Sequence, residues 1–539
     1  MFKSYKSILY PLTVSILFYW MYYIFFLPIV APSDPLEYIQ QALKPEMGFR
    51  HLDRILLWYW LRLVAFLGID PLYISPVATL ILSTFILALG SFYLYDKVNQ
   101  YASFIFVILF SVSPIVLGNS AYTYPTQLMV LILLSTFILM DYTKNINMKL
   151  MVGGMGYTIA LFSKIQAYIF IVFLLIYLYK NVSKINISHL VYIALGGILG
   201  IITVLLIVIG VDGMDMLFNV VNNYFFQGTA TAQYLGIGRA HDGIPLVLMF
   251  FLEPSFIFAF VGSVILVLIR INEHYKFIGY MALVHLFGLL FIYVFTGRRG
   301  PPISNYVLDF YIFGSMASAS VLVYIYKREL EKLTFSIWHL ITITLLFFIF
   351  IIVVSFVLPN DIWYFPFNFL KKSIMEIIID GLLILLIYYI LFKVLKTYKQ
   401  SEYLHIYKTR YIPIFILIII YFVNVAVADA KFKRNYWNSS HELCQILSSM
   451  TPTDTINVQV RLNRKTIEDG SSKCKVLFNV FYRKNDSITF GKSNKYFDYI
   501  ITDDINIIKQ KVISKKIIYE YIFNAKKNQV WMVTLVNEI

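Results

Sequence analysis

Residues 151–179 read MVGGMGYTIALFSKIQAYIFIVFLLIYLY. Two apolar runs of about a dozen residues each, Met151 to Phe162 and Ala167 to Tyr179, flank the polar interruption Ser163-Lys164-Ile165-Gln166. Either run is short for a helix crossing ~30 Å of hydrocarbon, which takes about 20 residues. The stretch is therefore one broken helix or two short spans meeting at a dip in the outer leaflet. The choice sets the side of the membrane for everything downstream. Positive charge decides it, because cytoplasmic loops carry the excess of Lys and Arg. With two spans, Lys97, Lys144, Lys149, Lys180, Lys184, Arg270, Lys276, Lys327, Arg328 and Lys332 all face inward. With one span, every basic cluster after Lys164 would face outward.

The remaining chain follows from that choice. Apolar stretches near residues 9–30, 72–95, 101–117, 125–141, 189–211, 245–270, 277–296, 303–325, 335–358, 373–394 and 411–428 join the two short ones, predicting thirteen spans. An odd count puts the N-terminus in the cytoplasm and the C-terminus outside. The expected fold class is an α-helical polytopic membrane protein, residues 1–428, with a long first outer loop at residues 31–71. A small extracytoplasmic α/β domain follows at residues 429–539. There, β-like runs at residues 455–460, 475–482, 496–502, 516–523 and 529–536 are broken by turn clusters, and residues 440–450 read as helix.

Composition agrees. Of 539 residues, 59% are hydrophobic and only 14% charged, which excludes a water-soluble enzyme, a disordered chain and a disulfide scaffold. The net charge of +15 does not imply nucleic acid, since 18 of the 45 Lys and Arg follow Ala428 and the rest punctuate apolar runs. Cys444 and Cys474 either pair or remain free thiols.

Candidate chemistry gathers on the outer side. The first outer loop contains Ser33-Asp34-Pro35-Leu36-Glu37-Tyr38, then Lys44, Arg50, Arg54 and Arg62 among Ile, Leu and Trp. That mixture suits helices in the headgroup plane with cations toward phosphates. Asp34 also reads as a plain helix start, with Pro35 at the first helical position and Glu37 completing a capping box. Arg298 and Arg299 occupy a Gly/Pro-rich turn, Thr296 to Pro302, and paired guanidinium groups match phosphate oxygens. Lys164, at the tip of the short hairpin, is costly near membrane depth unless it meets an anion; its structural alternative is a headgroup anchor. The loop from Asp212 to Gly243 offers Arg239 as a further phosphate ligand, and His241-Asp242 as a solvated pair or a metal ligand. Among intramembrane carboxylates, Glu253, Asp309, Glu376 and Asp380 are too scattered for a proton relay and either face water or pair with the arginines.

This layout resembles the GT-C integral-membrane glycosyltransferases, in the protein O-mannosyltransferase and aminoarabinose transferase branch. The similarity lies in the cytoplasmic N-terminus, the acidic motif opening the first outer loop, the in-plane helices, the short-span hairpin and the outer tail. A turn at Phe110 to Pro114 and Tyr122-Thr123-Tyr124-Pro125-Thr126-Gln127 is similar to one between the family's third and fourth spans, without its acidic residue. By resemblance, Asp34 is the catalytic base, with Glu37 standing in for the family's second acid, which Pro35 displaces. The resemblance further implies a polyprenyl-phosphate sugar donor and a protein, lipid or glycan acceptor on the outer face of the cell membrane. Arg298, Arg299, Arg239, Lys164 and Arg54 would bind the donor phosphate. A divalent metal ion is left open. The rival functions are a transporter or flippase for a lipid-linked glycan, and a non-catalytic glycan-binding membrane protein; a transporter would cluster its polar residues at mid-bilayer.

Overall fold

The computed structural model describes residues 33–43, 54–69, 71–113, 125–182, 185–222, 254–268, 273–295 and 307–329. It also describes isolated positions in residues 9–20, position 116, and the strands at residues 456–461, 488–490, 499–502, 512–523 and 526–535. Of the expected spans, those at residues 335–358, 373–394 and 411–428 lie outside the described residues, as does the helix expected at 440–450.

The helices are α1 (Ser33–Leu43), α2 (Ile55–Phe66), α3 (Pro71–Lys97), α4 (Gln100–Val112), α5 (Pro125–Tyr142), α6 (Ile146–Leu161), α7 (Phe170–Asn181), α8 (Ile187–Val221), α9 (Pro254–Leu268), α10 (Glu273–Phe295) and α11 (Leu308–Glu329). A one-turn 3-10 helix, Ile165–Ile169, precedes α7. Among the described residues, three helices are long and apolar enough to cross a membrane: Tyr73–Lys97, Pro125–Tyr142 and Ile187–Val221.

Residues 151–179 lie in a hairpin. Lys149 Nζ, at the start of α6, donates to the Tyr177 hydroxyl near the end of α7 at 3.2 Å, so the two helices run antiparallel. Residues 162–164 turn the chain between them. The same end of the bundle gathers other residues that the charge pattern assigns to one side. Lys97 pairs with Asp141 at 3.0 Å, the Tyr142 hydroxyl donates to Asp96 at 2.6 Å, and the Tyr275 hydroxyl donates to the Lys97 carbonyl. Opposite, Arg62 of α2 pairs with Asp212 of α8 at 2.5 Å and donates through Nε to the Ala42 carbonyl of α1 at 2.6 Å. The start of the chain's helical body and the far end of α8 therefore meet at one end of the bundle.

One boundary differs from expectation. The long loop expected from Asp212 is still helical to Val221, beyond a break at Gly213, whose φ of 81° is left-handed and favours glycine. The kink lets the chain turn off at the depth where Arg62 holds Asp212.

Between the two ends, aromatic packing joins four helices: Phe137 of α5 lies edge-on to Tyr93 of α3, Phe173 of α7 and Phe313 of α11, at 5.5, 6.0 and 6.3 Å. The α6–α8 contact is made by glycine instead. A Cβ at Gly154 would sit 2.1 Å from the Ile193 carbonyl oxygen, and one at Gly196 would sit 2.0 Å from that of Met151. Small residues let helix backbones approach where lipid supplies no hydrophobic drive for association. Gly196→Val is expected to push the helices apart and destabilise the protein by about 1–3 kcal/mol. Thermal unfolding of the detergent-solubilised protein measures this, and an unchanged midpoint would contradict the packing.

In the tail, β1 (Ile456–Arg461), β2 (Ile488–Phe490), β3 (Tyr499–Thr502), β4 (Val512–Phe523) and β5 (Lys526–Leu535) form one sheet in the order β2-β1-β3-β5-β4. Strand β1 pairs parallel with β2 and β3, while β5 pairs antiparallel with β3 and β4. Four of the expected strands overlap these; β2 was not anticipated, and the run at 475–482 lies outside the described residues.

Candidate active site

The hairpin tip is where local sequence and tertiary position combine. Helix α6 ends at Leu161, and Ser163 and Lys164 both donate their backbone N–H to the Ala160 carbonyl at 3.0 Å, closing the helix. Lys164 is then extended (φ −161°, ψ 129°) and caps the 3-10 turn, its carbonyl accepting from the Ala167 N–H at 3.0 Å. Extended backbone at this one residue swings its side chain out of the hairpin axis and into the bundle.

That side chain is 4% exposed. A headgroup anchor would reach outward to water, whereas this side chain reaches inward. Its Nζ donates to the Thr126 hydroxyl, at the start of α5, at 2.5 Å. Lys164 lies between the helices of the hairpin, and loss of water there pulls its ammonium down from the ordinary 10.5 to about 7. The Asp309 carboxylate opposes that fall and the Arg54 guanidinium adds to it.

Arg54, expected to face lipid phosphates from the headgroup plane, is instead buried, 6% exposed. It stands just ahead of α2, with its guanidinium over the Tyr38 ring at 4.9 Å. A backbone bond from Leu56 N–H to the Phe162 carbonyl at 3.4 Å ties the start of α2 to the hairpin tip. The reason for the burial is visible in α2 itself. Ile55, Leu57, Trp58, Leu61 and Val64 are all buried, so the helix packs into the body and carries Arg54 with it.

Tyr38 leads to the acidic motif. Helix α1 begins at Ser33, so Asp34 and Glu37 belong to its first turns. A helix does start here, but ahead of the expected place: Asp34, read as the residue before Pro35 at the first helical position, already lies within the helix. Asp34 precedes Tyr38 by four residues, one turn or about 6 Å along the axis. The backbone thus brings the motif to the helix whose Tyr38 covers Arg54. Arg239, Arg298 and Arg299 lie outside the described residues, as does His241.

Behind Lys164 is a junction of which the sequence marked only Asp309. Asp309, at the start of α11, is fully buried and accepts at Oδ2 from Gln166 Nε2 at 2.9 Å. The same oxygen meets Nδ1 of His285, from α10, at 2.8 Å. Oδ1 accepts from the Phe310 N–H at 2.8 Å. Asp309 does not face water, one of the two roles expected of it; Arg298 and Arg299, with which it was otherwise expected to pair, lie outside the described residues. His285 is fully buried, and its Nε2 has no partner among the described residues. A histidine inside the apolar run of a span is itself a signal that could have marked this position. Among the described residues no three His, Cys, Asp or Glu side chains come together to hold a metal ion.

No protein-family model matches the sequence, and no curated protein matches it. Solved structures do. ArnT from Cupriavidus metallidurans bound to undecaprenyl phosphate superposes with a TM-score of 0.58 at 10% identity, covering 98% of both chains. Its apo form gives 0.58 at 10% identity and 97% of both. The oligosaccharyltransferase AglB from Archaeoglobus fulgidus, in complex with an inhibitory peptide and a dolichol-phosphate, gives 0.49 at 10% identity, over 93% of this chain and 70% of that one. With helices that can cross a bilayer, a short hairpin and a first loop folded back onto its tip, this chain shares the fold of the ArnT structures.

Proposed function

We propose that the protein transfers a sugar from a polyprenyl-phosphate donor to an acceptor at the outer face of the membrane. One observation carries the reading: a lysine is buried at the hairpin tip beside Arg54, against the helix that opens with Asp34. Buried cations are expensive unless an anion meets them, and a lipid-borne phosphate at the interface is an anion of suitable depth. The undecaprenyl phosphate held by the ArnT structure is the same kind of ligand.

The chemistry is direct displacement with inversion. Asp34 takes the proton of the acceptor hydroxyl as its oxygen bonds to the anomeric carbon, with Glu37 the second acid beside it. The bond from that carbon to the phosphate oxygen breaks, and the electron pair leaves with the phosphate. Lys164 and Arg54, joined by Arg298, Arg299 and Arg239, stabilise the charge growing there. The acceptor is a protein, lipid or glycan hydroxyl. The N-terminus is cytoplasmic, and the region 429–539 forms an outer domain on the thirteen-span body.

Incubating the purified protein in nanodiscs with a panel of undecaprenyl-phosphate sugars and an extract of cell-envelope acceptors tests this. Release of bare undecaprenyl phosphate coupled to acceptor labelling is the expected result. Binding without release would make the protein a carrier or a glycan-binding module and refute the enzyme.

A further inference from the structure

We infer that Asp309 is a positioning residue: through Gln166 and His285 it locks the hairpin tip in the one conformation that delivers the Lys164 side chain to the donor phosphate. The inference rests on the donor-site reading above.

The geometry gives the carboxylate no other task. Both its oxygens are engaged, Oδ2 by Gln166 and His285 and Oδ1 by the Phe310 amide, and the side chain is fully buried. Its bond to Phe310 fixes it to the first turn of α11, where an orphan helix amide requires an acceptor. Its bond to Gln166 reaches into the first turn of the 3-10 helix that Lys164 caps. Its contact with His285 crosses to α10, so a single oxygen pins the tip to two helices at once. The Leu56–Phe162 and Lys164–Thr126 bonds also hold the tip, and the Gln166 side chain adds a tie to a third helix two residues from the cation.

The hydrogen-bond polarity makes the idea testable without breaking the contact. A carboxylate only accepts, so His285 carries its proton on Nδ1 and Gln166 presents its amide N–H. In Asp309→Asn, an amide nitrogen at the Oδ2 position faces two donors and the pin fails. In the double variant Asp309→Asn with Gln166→Glu, that nitrogen donates one hydrogen to the new carboxylate and one to Nδ1 of the other histidine tautomer. The connections are restored with every donor and acceptor exchanged. His285→Leu removes the α10 arm, whereas His285→Asn keeps a donor near Nδ1.

The experiment uses the full chain in nanodiscs, titrated with undecaprenyl phosphate and, separately, undecaprenol, with occupancy read by native mass spectrometry. Asp309→Asn and His285→Leu are each expected to weaken undecaprenyl phosphate binding about tenfold or more while leaving undecaprenol binding unchanged. The double variant and His285→Asn should return to within about threefold of the parent. If Asp309→Asn fails to fold, the two histidine variants decide alone. Equal loss for both lipids, or no recovery in the conservative variants, would make the network merely structural and overturn the inference. So would undiminished phosphate-lipid binding in Asp309→Asn and His285→Leu, though the donor site would stand if Lys164→Met still lost that binding. A parent protein that does not prefer undecaprenyl phosphate to undecaprenol would remove the donor-site reading itself, and this inference with it.

Discussion

Asp34→Asn is expected to lower the rate of sugar transfer by about 10²–10⁴-fold, the usual contribution of a positioned general base. Undecaprenyl phosphate affinity should stay within a few-fold of the parent. The split follows from the assigned roles: the aspartate meets the acceptor hydroxyl, whereas the cations of the tip and of α2 meet the donor. The amide keeps the size of the carboxyl and still accepts hydrogen bonds, so the helix that begins at Ser33 persists. Single-turnover release of undecaprenyl phosphate measures the loss. A variant that retained the parental rate would leave Asp34 as a helix-start residue and nothing more, since a capping role costs stability of about 1 kcal/mol, not turnover.

Lys164→Met is expected to act on the other substrate. A hydrogen bond to a charged group contributes about 1.5–3 kcal/mol, so undecaprenyl phosphate should bind about 10–150-fold more weakly. Methionine fills similar space without a charge. Because the free protein's ammonium titrates near 7, the parent loses its cation as pH rises through that value, and affinity should decline above it. The phosphate's own second ionisation opposes this, so Lys164→Arg is the control: arginine stays charged, and its pH profile should lack the decline. Stability runs in the opposite sense. Between about 7 and the ordinary 10.5 the unfolded chain holds a proton that the folded chain does not. Folding stability of the ligand-free parent therefore rises with pH across that window, and the gain is gone once pH has fallen to about 7. Lys164→Met should abolish this slope and raise the unfolding temperature at pH 6. A protein that loses ligand and gains stability from one substitution has a site held against the preference of its fold. Unchanged binding in Lys164→Met would return this lysine to a structural role.

Much of the architecture was legible because lipid makes it so. Every backbone polar group in hydrocarbon must be satisfied within its own helix, so spans appear as apolar runs, and loop charge reports their side. That sufficed to read residues 151–179 as a hairpin and to put Arg62 and Asp212 on one side, where they pair. Strands in the tail were legible by their β-branched and aromatic runs, although pairing order was not: β5 inserts between β3 and β4, a choice made by contacts distant in sequence.

The site was legible only in part. Lys164 was marked by its cost at membrane depth, and Asp34 by its place at the opening of the first outer loop; both marks are local. Whether Lys164 reached out to headgroups or in to the bundle was not local, because it depended on the extended backbone that follows the end of α6 and on Thr126 waiting 38 residues upstream. Arg54 was carried inward by the packing of a helix whose apolar residues it merely precedes. The Gln166–Asp309–His285 junction joins residues up to 143 apart, and no periodicity or spacing encodes it. By itself the sequence determined that the chain is built of long apolar helices and that residues 151–179 fold back as a hairpin, since hydrophobic length and loop charge are summed along the chain. Which charges meet was decided by tertiary structure alone, because desolvation and hydrogen bonding depend on neighbours in space.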